Sequence, residues 1–185
     1  MTLEKKKVAC FIDRDGTIVK SYGGRPANTV EEIELLPGVP EGIKALHEAG
    51  LVAVVVTNQA GVALGYMTLD TLKKMHERVN DLLIQSGSVP IDAFYYCTHA
   101  PKDLCQCRKP NPGMFLSAAE DVGLDMAKSY MIGDDARDMD AATRAGVGCK
   151  LMVISDLYQD TPMASAVYAT FKEAAEVVAA MEKMK

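Results

Sequence analysis

The sequence predicts a Rossmann-like α/β fold, a three-layer sandwich in which helices cover both faces of a mostly parallel central sheet. The main observation is an alternation along the chain: short apolar runs typical of buried strands are separated by segments with helical periodicity. The chain has 185 residues, of which 49% are hydrophobic, enough for a substantial core. It contains no internal repeat or linker, so we expect a single domain over residues 1–185.

Five apolar runs are the candidate strands. They cover residues 8–12, 52–56, 93–96, 129–132 and 150–154. The first two are continuously apolar, and this favours parallel strands because such strands are covered on both faces.

Helix signals fall between these runs. Pro40 suits a first helical turn, Gly50 a helix end, and Thr68 the N-cap of a long helix. Thr170 and Glu173 have the spacing of a capping box before the last helix. Two further helices are predicted between 111 and 123 and between 136 and 146. Strands that alternate with helices predict a parallel sheet.

Two long irregular segments, 18–37 and 97–110, interrupt the alternation. Long irregular segments in a compact domain tend to carry function. We therefore expect both segments to contribute to a site.

The segment Asp13-Arg14-Asp15-Gly16-Thr17 places two carboxylates directly after the first apolar run. In a parallel sheet the carboxyl ends of the strands line the crevice in which ligands bind. Side chains two residues apart share one side of an extended chain, so Asp13 and Asp15 can act on the same substrate. Asp13 is the candidate nucleophile toward phosphorus, and Asp15 is the candidate acid and base for the proton.

Two further polar segments fit phosphoryl transfer. Thr57-Asn58 follow the second apolar run, and Thr57 is the candidate hydroxyl donor to a phosphoryl oxygen. Arg108-Lys109 follow the cysteine-rich loop, and Lys109 is the candidate catalytic cation beside that oxygen. Asn58, Arg108 and Lys109 are the candidate substrate-binding residues.

Gly133-Asp134-Asp135 follows the fourth apolar run. Together with Asp13, Asp134 supplies the hard oxygen ligands that Mg²⁺ prefers. A metal ion is needed here because a cluster of carboxylates alone repels a phosphate dianion. The sequence therefore predicts a catalytic Mg²⁺ ion.

Three cysteines and a histidine crowd into one short loop. They are Cys97, His99, Cys105 and Cys107. Three thiolates and one imidazole close a tetrahedral Zn²⁺ site with no position left for water, which is typical of structural zinc. The alternative is a set of reduced cysteines and a loop histidine. In the favoured interpretation, zinc orders the 97–107 loop and so fixes the path into Arg108 and Lys109.

Four polar segments resemble, in their order along the chain, the motifs of phosphatases of the haloacid dehalogenase superfamily, and the resemblance covers residues 8–154. The segments are Asp13–Thr17, Thr57-Asn58, Arg108-Lys109 and Gly133–Asp135. The resemblance implies that Asp13 is the nucleophile and Asp15 the acid and base. It implies that Mg²⁺ is held by Asp13, by the main-chain carbonyl of Asp15 and by Asp134, with Asp135 near the metal.

The zinc loop followed by Arg108-Lys109 is similar to one branch of that superfamily, which has little or no cap domain. The branch contains heptose 1,7-bisphosphate phosphatases and histidinol-phosphate phosphatases, and in it Arg108 and Lys109 would contact substrate phosphate. The residues around 57–65 and 129–134 favour a heptose bisphosphate. The five-residue spacer between His99 and Cys105 leaves histidinol phosphate as the alternative.

Composition and charge argue against nucleic acid and membranes as partners. The net charge of −5 argues against nucleic acid, and no apolar run approaches the ~20 residues of a membrane span. Residues 1–7 lack the apolar stretch of a signal peptide. We expect a cytoplasmic, monomeric enzyme acting on a phosphorylated sugar. The competing hypothesis is a zinc-ordered binding protein that keeps the fold without turnover.

Overall fold

A parallel β-sheet forms the centre of the computed structural model, which describes residues 6–156 and 161–185. In the described part of the chain the sheet has six strands in the order β3-β2-β1-β4-β5-β6, and every neighbouring pair is parallel. The strands are β1 (Ala9–Ile12), β2 (Val52–Asn58), β3 (Ala93–Cys97), β4 (Tyr130–Gly133), β5 (Cys149–Val153) and β6 (Ala166–Tyr168). The predicted mostly parallel sheet is confirmed.

The α-helices follow the predicted order. They are α1 (Val39–Glu48), α2 (Leu69–Gln85), α3 (Gly113–Val122), α4 (Ala136–Arg144) and α5 (Phe171–Lys183). Short 3₁₀ turns cover Pro101–Asp103 and Met126–Lys128.

The predicted N-caps at Thr68 and Thr170 are present, although the Glu173 carboxylate accepts from the N–H of Ala169 and not, as a capping box requires, from that of Thr170. The Oγ1 atom of Thr68 accepts a hydrogen bond from the N–H of Thr71 (3.0 Å), and that of Thr170 accepts from Glu173 (3.2 Å). Each bond satisfies an N–H group that has no partner within its helix, a contribution of about 1 kcal/mol.

Two apolar layers enclose the sheet. Helices α1, α2 and α5 pack on one face, where Ile12 and Val55 contribute to the core. Helices α3 and α4 pack on the other face against Phe11 and Met131. The rings of Phe11 and Phe115 lie 4.8 Å apart between β1 and α3. The continuously apolar strands are thus covered on both faces, as predicted.

Strands β1 and β4 are neighbours, yet the helices that follow them lie on opposite faces of the sheet. The loops after the two strands therefore diverge and leave a crevice at their carboxyl ends, where ligands bind in open α/β sheets. Asp13 and Asp134 each follow directly on one of these strands.

The structure differs from the sequence prediction at two strands. β2 continues through Thr57 and Asn58, because its pairing with β3 extends as far as Cys97. β6 was not predicted, since its three residues are too short a run to stand out as a strand. The charged stretch at residues 1–7 lies partly outside the described residues. None of the described helices is long and apolar enough to cross a membrane.

Candidate active site

A cavity of about 310 Å³ opens at the carboxyl ends of β1, β2 and β4. The predicted phosphoryl-transfer residues all line it: Asp13, Asp15, Thr57, Asn58, Arg108, Lys109, Asp134 and Asp135. These residues come from separate parts of the chain and meet here because parallel strands end at the same edge of the sheet. Part of the 18–37 segment, including Ser21 and Arg25, forms another wall of the cavity.

Lys109 is buried at the centre of the cluster. Its Nζ atom lies 2.7 Å from Oδ1 of Asp13 and 2.6 Å from Oδ1 of Asp138, and it donates to the carbonyl of Val56 at 2.8 Å. Burial by itself lowers the pKa of Lys109, but the charges and hydrogen bonds of Asp13 and Asp138 outweigh burial and raise that pKa above its ordinary value. Lys109 therefore remains a cation inside the protein.

Asp134 is fully buried and is held from two sides. Its Oδ1 atom accepts a hydrogen bond from Thr17 (3.0 Å), and its Oδ2 atom accepts one from Ser155 (2.6 Å). Burial, followed by the charge of Asp138, raises the pKa of Asp134 to about 6. The same two causes raise the pKa of Asp13 well above its usual range.

Gly16 makes the close approach of the first loop to Asp134 possible. Its φ angle of +85° lies in the left-handed region, which favours glycine. A Cβ atom at this position would collide with Oδ2 of Asp134. Glycine is thus required at position 16 both by the backbone conformation of the turn and by the close packing against Asp134.

A magnesium ion fits the carboxylates of this site. One oxygen each from Asp13, Asp134 and Asp138 lie within 4.8 Å of one another. Asp13 and Asp138 both pair with the ammonium group of Lys109, and Asp134 lies beside them, so the three carboxylates carry excess negative charge when they are ionised. Hard carboxylate oxygens are the ligands that Mg²⁺ prefers.

Asp135 faces a different partner. Its carboxylate caps α4 by accepting from the N–H of Arg137 at 2.8 Å and from the Arg137 side chain at 2.9 Å. Although burial raises the pKa of Asp135, the hydrogen bonds and charge of Arg137 outweigh it and lower that pKa. Its place near magnesium stays a prediction, as does the ligand role of the Asp15 main chain.

Two side chains at the end of β2 organise the groups around them. The amide of Asn58 donates to the carbonyl of Lys109 (3.1 Å) and accepts from the N–H of Lys109 (3.0 Å), so it clamps the main chain that carries the cation. Gln59 donates from Nε2 to Oδ2 of Asp15 and to Oγ1 of Thr57, both at 2.8 Å. Asn58 stays a predicted substrate contact.

The four predicted zinc ligands lie together. The Nδ1 atom of His99 is 3.5 Å from Sγ of Cys97 and 3.2 Å from Sγ of Cys107, and Cys105 is 3.5 Å from each of the other two sulfurs. Burial raises the pKa of Cys97 and of Cys107, whereas at Cys105 the N–H of Arg108 and the neighbouring thiols outweigh burial and lower the pKa. This donor set fits tetrahedral zinc.

Sequence reasoning missed Asp138, Gln59 and Thr17. Asp138 has a detectable signal, because it stands three residues after Asp135 in the spacing of a capping box, and its Oδ2 atom accepts from the Asp135 N–H at 3.1 Å. Gln59 directly follows the predicted Asn58, and Thr17 stands two residues after the predicted Asp15, yet nothing in their residue types indicates where their side chains point.

Fold and site together define a phosphoric monoester hydrolase of the haloacid dehalogenase type. The similar proteins described in the next two paragraphs belong to the same class. More closely, the chain belongs to the polynucleotide kinase 3 phosphatase family, whose model matches residues 7–176.

Two curated relatives carry the same name. D-glycero-beta-D-manno-heptose-1,7-bisphosphate 7-phosphatase from Escherichia coli is 40% identical over 158 residues, which cover 82% of this chain and 82% of that protein. The protein of the same name from Yersinia pestis is 38% identical over 152 residues, covering 78% and 79%.

A solved structure agrees with the fold. D,D-heptose 1,7-bisphosphate phosphatase from B. bronchiseptica, crystallised in complex with magnesium and phosphate, superposes with a TM-score of 0.85. The two chains are 31% identical, and the match covers 96% of this chain and 99% of the other. The predicted superfamily resemblance is confirmed.

Proposed function

We propose that this protein hydrolyses the 7-phosphate of D-glycero-D-manno-heptose 1,7-bisphosphate, with Mg²⁺ as the catalytic metal. The observation that carries this proposal is the convergence of Asp13, Asp15 and Lys109 on one cavity, beside the carboxylates of Asp134 and Asp138. The names of the similar proteins supply the substrate.

Asp13 is the nucleophile in this proposal. A carboxylate oxygen of Asp13 forms a bond to phosphorus while the ester bond from phosphorus to the C7 oxygen breaks, and Asp15 gives its proton to that oxygen. In the second half, Asp15 takes a proton from water, and the water oxygen displaces Asp13 from phosphorus. Mg²⁺ supplies positive charge against the phosphoryl oxygens.

Cationic and hydroxyl side chains of the cavity bind the phosphoryl group that is transferred. Lys109, charged and buried beside Asp13, neutralises developing charge on a phosphoryl oxygen, and Thr57 donates its hydroxyl to another. Arg108 lines the same cavity and is the proposed contact of a substrate phosphate. Because the relatives are named for a bisphosphate, the substrate has a second phosphate that Arg108 can contact.

The cysteine and histidine cluster has a structural role in this proposal. Zinc bound by Cys97, His99, Cys105 and Cys107 would hold the loop that leads directly into Arg108 and Lys109. Thiolate ligands persist in a reducing compartment, which supports a cytoplasmic location. A monomer remains the expected state, and size-exclusion chromatography with light scattering measures it.

A substrate panel tests the proposal. Phosphate release is measured with Mg²⁺ and with excess EDTA for heptose 1,7-bisphosphate, fructose 1,6-bisphosphate, histidinol phosphate and an oligonucleotide bearing a 3′-phosphate. We expect the heptose substrate to have the highest kcat/KM by about tenfold or more, and EDTA to abolish release.

Each result of the panel has a separate meaning. A kcat/KM that is highest for histidinol phosphate or for the oligonucleotide would overturn the substrate while leaving the chemistry in place. Release that is unchanged by EDTA would overturn the role of Mg²⁺. No release from any phosphomonoester would favour the non-catalytic binding protein.

A further inference from the structure

Arg14 is the largest side chain in the described structure with no exposed surface. It stands between the two predicted catalytic carboxylates in sequence, yet it does not line the cavity, whereas Asp13 and Asp15 do. Its guanidinium group therefore approaches the site from within the protein. A buried arginine of this kind requires a partner, since an unpaired buried charge is strongly destabilising.

That partner is Asp15. The Nε atom of Arg14 donates to Oδ2 of Asp15 at 3.0 Å, and Nη2 donates to Oδ1 at 3.1 Å. Both carboxylate oxygens are thus engaged by one planar fork, the geometry that gives arginine its directional hold on a carboxylate.

A tight turn makes this contact between adjacent residues possible. The side chains of neighbouring residues point to opposite sides in an extended chain. Here the carbonyl of Arg14 accepts hydrogen bonds from the N–H groups of Ile18 (3.0 Å) and Val19 (2.8 Å), which folds the segment back on itself. The turn brings both side chains to the same place.

The surroundings of Arg14 leave its charge directed at Asp15. Among the described residues Asp15 is its ion-pair partner, and Nη1 has no hydrogen-bond acceptor there. His76, stacked on Phe94 at 4.5 Å, adds no competing charge. Burial, and then the charge of Arg14, lowers the pKa of His76 to about 3.

We propose that Arg14 is a positioning residue that sets the orientation of Asp15 for proton transfer. This inference rests on the proposed function, in which Asp15 serves the leaving group and the attacking water. Two donors from Arg14, one from Gln59 at 2.8 Å and the N–H of Ala27 at 3.3 Å restrict both oxygens of Asp15. Proton transfer depends steeply on such alignment.

The leaving group separates positioning from a merely structural role. A sugar alkoxide needs a proton as it leaves, whereas p-nitrophenolate leaves well without one. kcat/KM reports the steps up to departure of the leaving group, so it measures the step that needs the acid. A loss of alignment at Asp15 must therefore reduce kcat/KM for the sugar ester more than for the aryl ester.

The experiment compares Arg14→Gln and Arg14→Lys with the parent protein on heptose 1,7-bisphosphate and p-nitrophenyl phosphate, with Mg²⁺. For Arg14→Gln we expect kcat/KM to fall about 10- to 100-fold for the sugar ester and less than about threefold for the aryl ester, a part of the 10²–10⁴ that general acid catalysis supplies. Lysine keeps the charge but not the fork, so Arg14→Lys should show the same selective loss, reduced in size.

Tyr130→Phe is the matched control. Tyr130 is a buried residue at the start of β4, away from the cavity, and its hydroxyl donates to the carboxylate of Glu182 at 2.9 Å. Removing this hydrogen bond should leave the ratio of the two kcat/KM values unchanged. If Arg14→Gln does not fold, Arg14→Lys decides. Equal losses on both substrates, or full recovery with lysine, would overturn the inference. Failure of the parent protein to hydrolyse either ester with Mg²⁺ would instead contradict the proposed function.

Discussion

At the scale of single residues, charge in the site is set by neighbours more than by residue type. Lys109 is almost fully buried, an environment that favours the neutral amine, yet its contacts with Asp13 and Asp138 keep it charged. Asp134 experiences the opposite balance, because burial and a nearby like charge favour its neutral form. A phosphate and a divalent cation are the partners that such a site accommodates together.

Asp13→Asn tests the nucleophile. We expect kcat to fall by more than about 10³-fold, since an amide does not form the acyl-phosphate. The fold should persist, because asparagine has nearly the same shape and removes repulsion with Asp134 and Asp138, and because Lys109 keeps its ion pair with Asp138. Phosphate release and the melting temperature of the metal-free protein are measured together.

Asp81→Asn, an exposed position on α2, is the matched control and should retain parent activity. Turnover of Asp13→Asn near the parent level would remove Asp13 as the nucleophile.

At the scale of elements, the cysteine-rich loop connects the sheet to the site. Cys97 is the last residue of β3 and pairs in register with Asn58, whose amide clamps the main chain of Lys109. At the other end, the side chain of Asn111 donates to the carbonyl of Cys105 at 2.8 Å. The loop is therefore anchored at both ends, and we expect its order to affect the position of Lys109.

Cys105→Ser should remove zinc and destabilise the protein, because a serine hydroxyl does not replace a thiolate ligand. We expect about one equivalent of zinc in the parent and much less in the variant, with a lower melting temperature. Residual kcat should exceed that of Asp13→Asn. Metal content by mass spectrometry and thermal unfolding are the measurements.

Cys149→Ser, on β5 and outside the cluster, is the control and should retain zinc. Parent protein purified without zinc would contradict the structural-zinc proposal while leaving the phosphatase chemistry untouched.

At the scale of the whole molecule, the three-layer packing concentrates negative charge at one edge of the sheet. Burial, then the charge of Asp138, raises the pKa of Asp134 to about 6, whereas an unfolded aspartate has a pKa of about 4. Between about pH 4 and pH 6 the folded metal-free protein therefore binds more protons at Asp134 than the unfolded protein does. The contribution of Asp134 to the free energy of unfolding thus decreases as pH rises through this range. Magnesium requires the ionised form.

This linkage predicts that Mg²⁺ stabilises the protein more at about pH 7.5 than at about pH 5.5, since protons compete with the metal at the lower pH. The rise in melting temperature on adding Mg²⁺ is the measurement. Asp134→Asn should show a smaller rise at both pH values. An equal or larger rise at the lower pH would contradict the assignment.

Much of this architecture could be predicted because the signals are local. Apolar runs indicated five of the strands, and Thr68 and Thr170 indicated helix starts, since a cap depends on residues only three positions apart. β6 escaped prediction because it has only three residues, and it is recognised as a strand by its pairing with β5. That residues 1–185 form one domain stays a prediction.

The sequence alone determined the alternation of strands and helices along the chain. It also determined the superfamily motifs and the chemical types of the site residues, since each of these depends on nearby residues or on a spacing. Only the tertiary structure decided that Asp138 joins Asp13 at Lys109, that Gln59 links Asp15 to Thr57, and that the buried side chain of Arg14 turns toward Asp15. The physical reason is that a side chain's direction and partner depend on strand register, turn geometry and packing between segments distant in the chain.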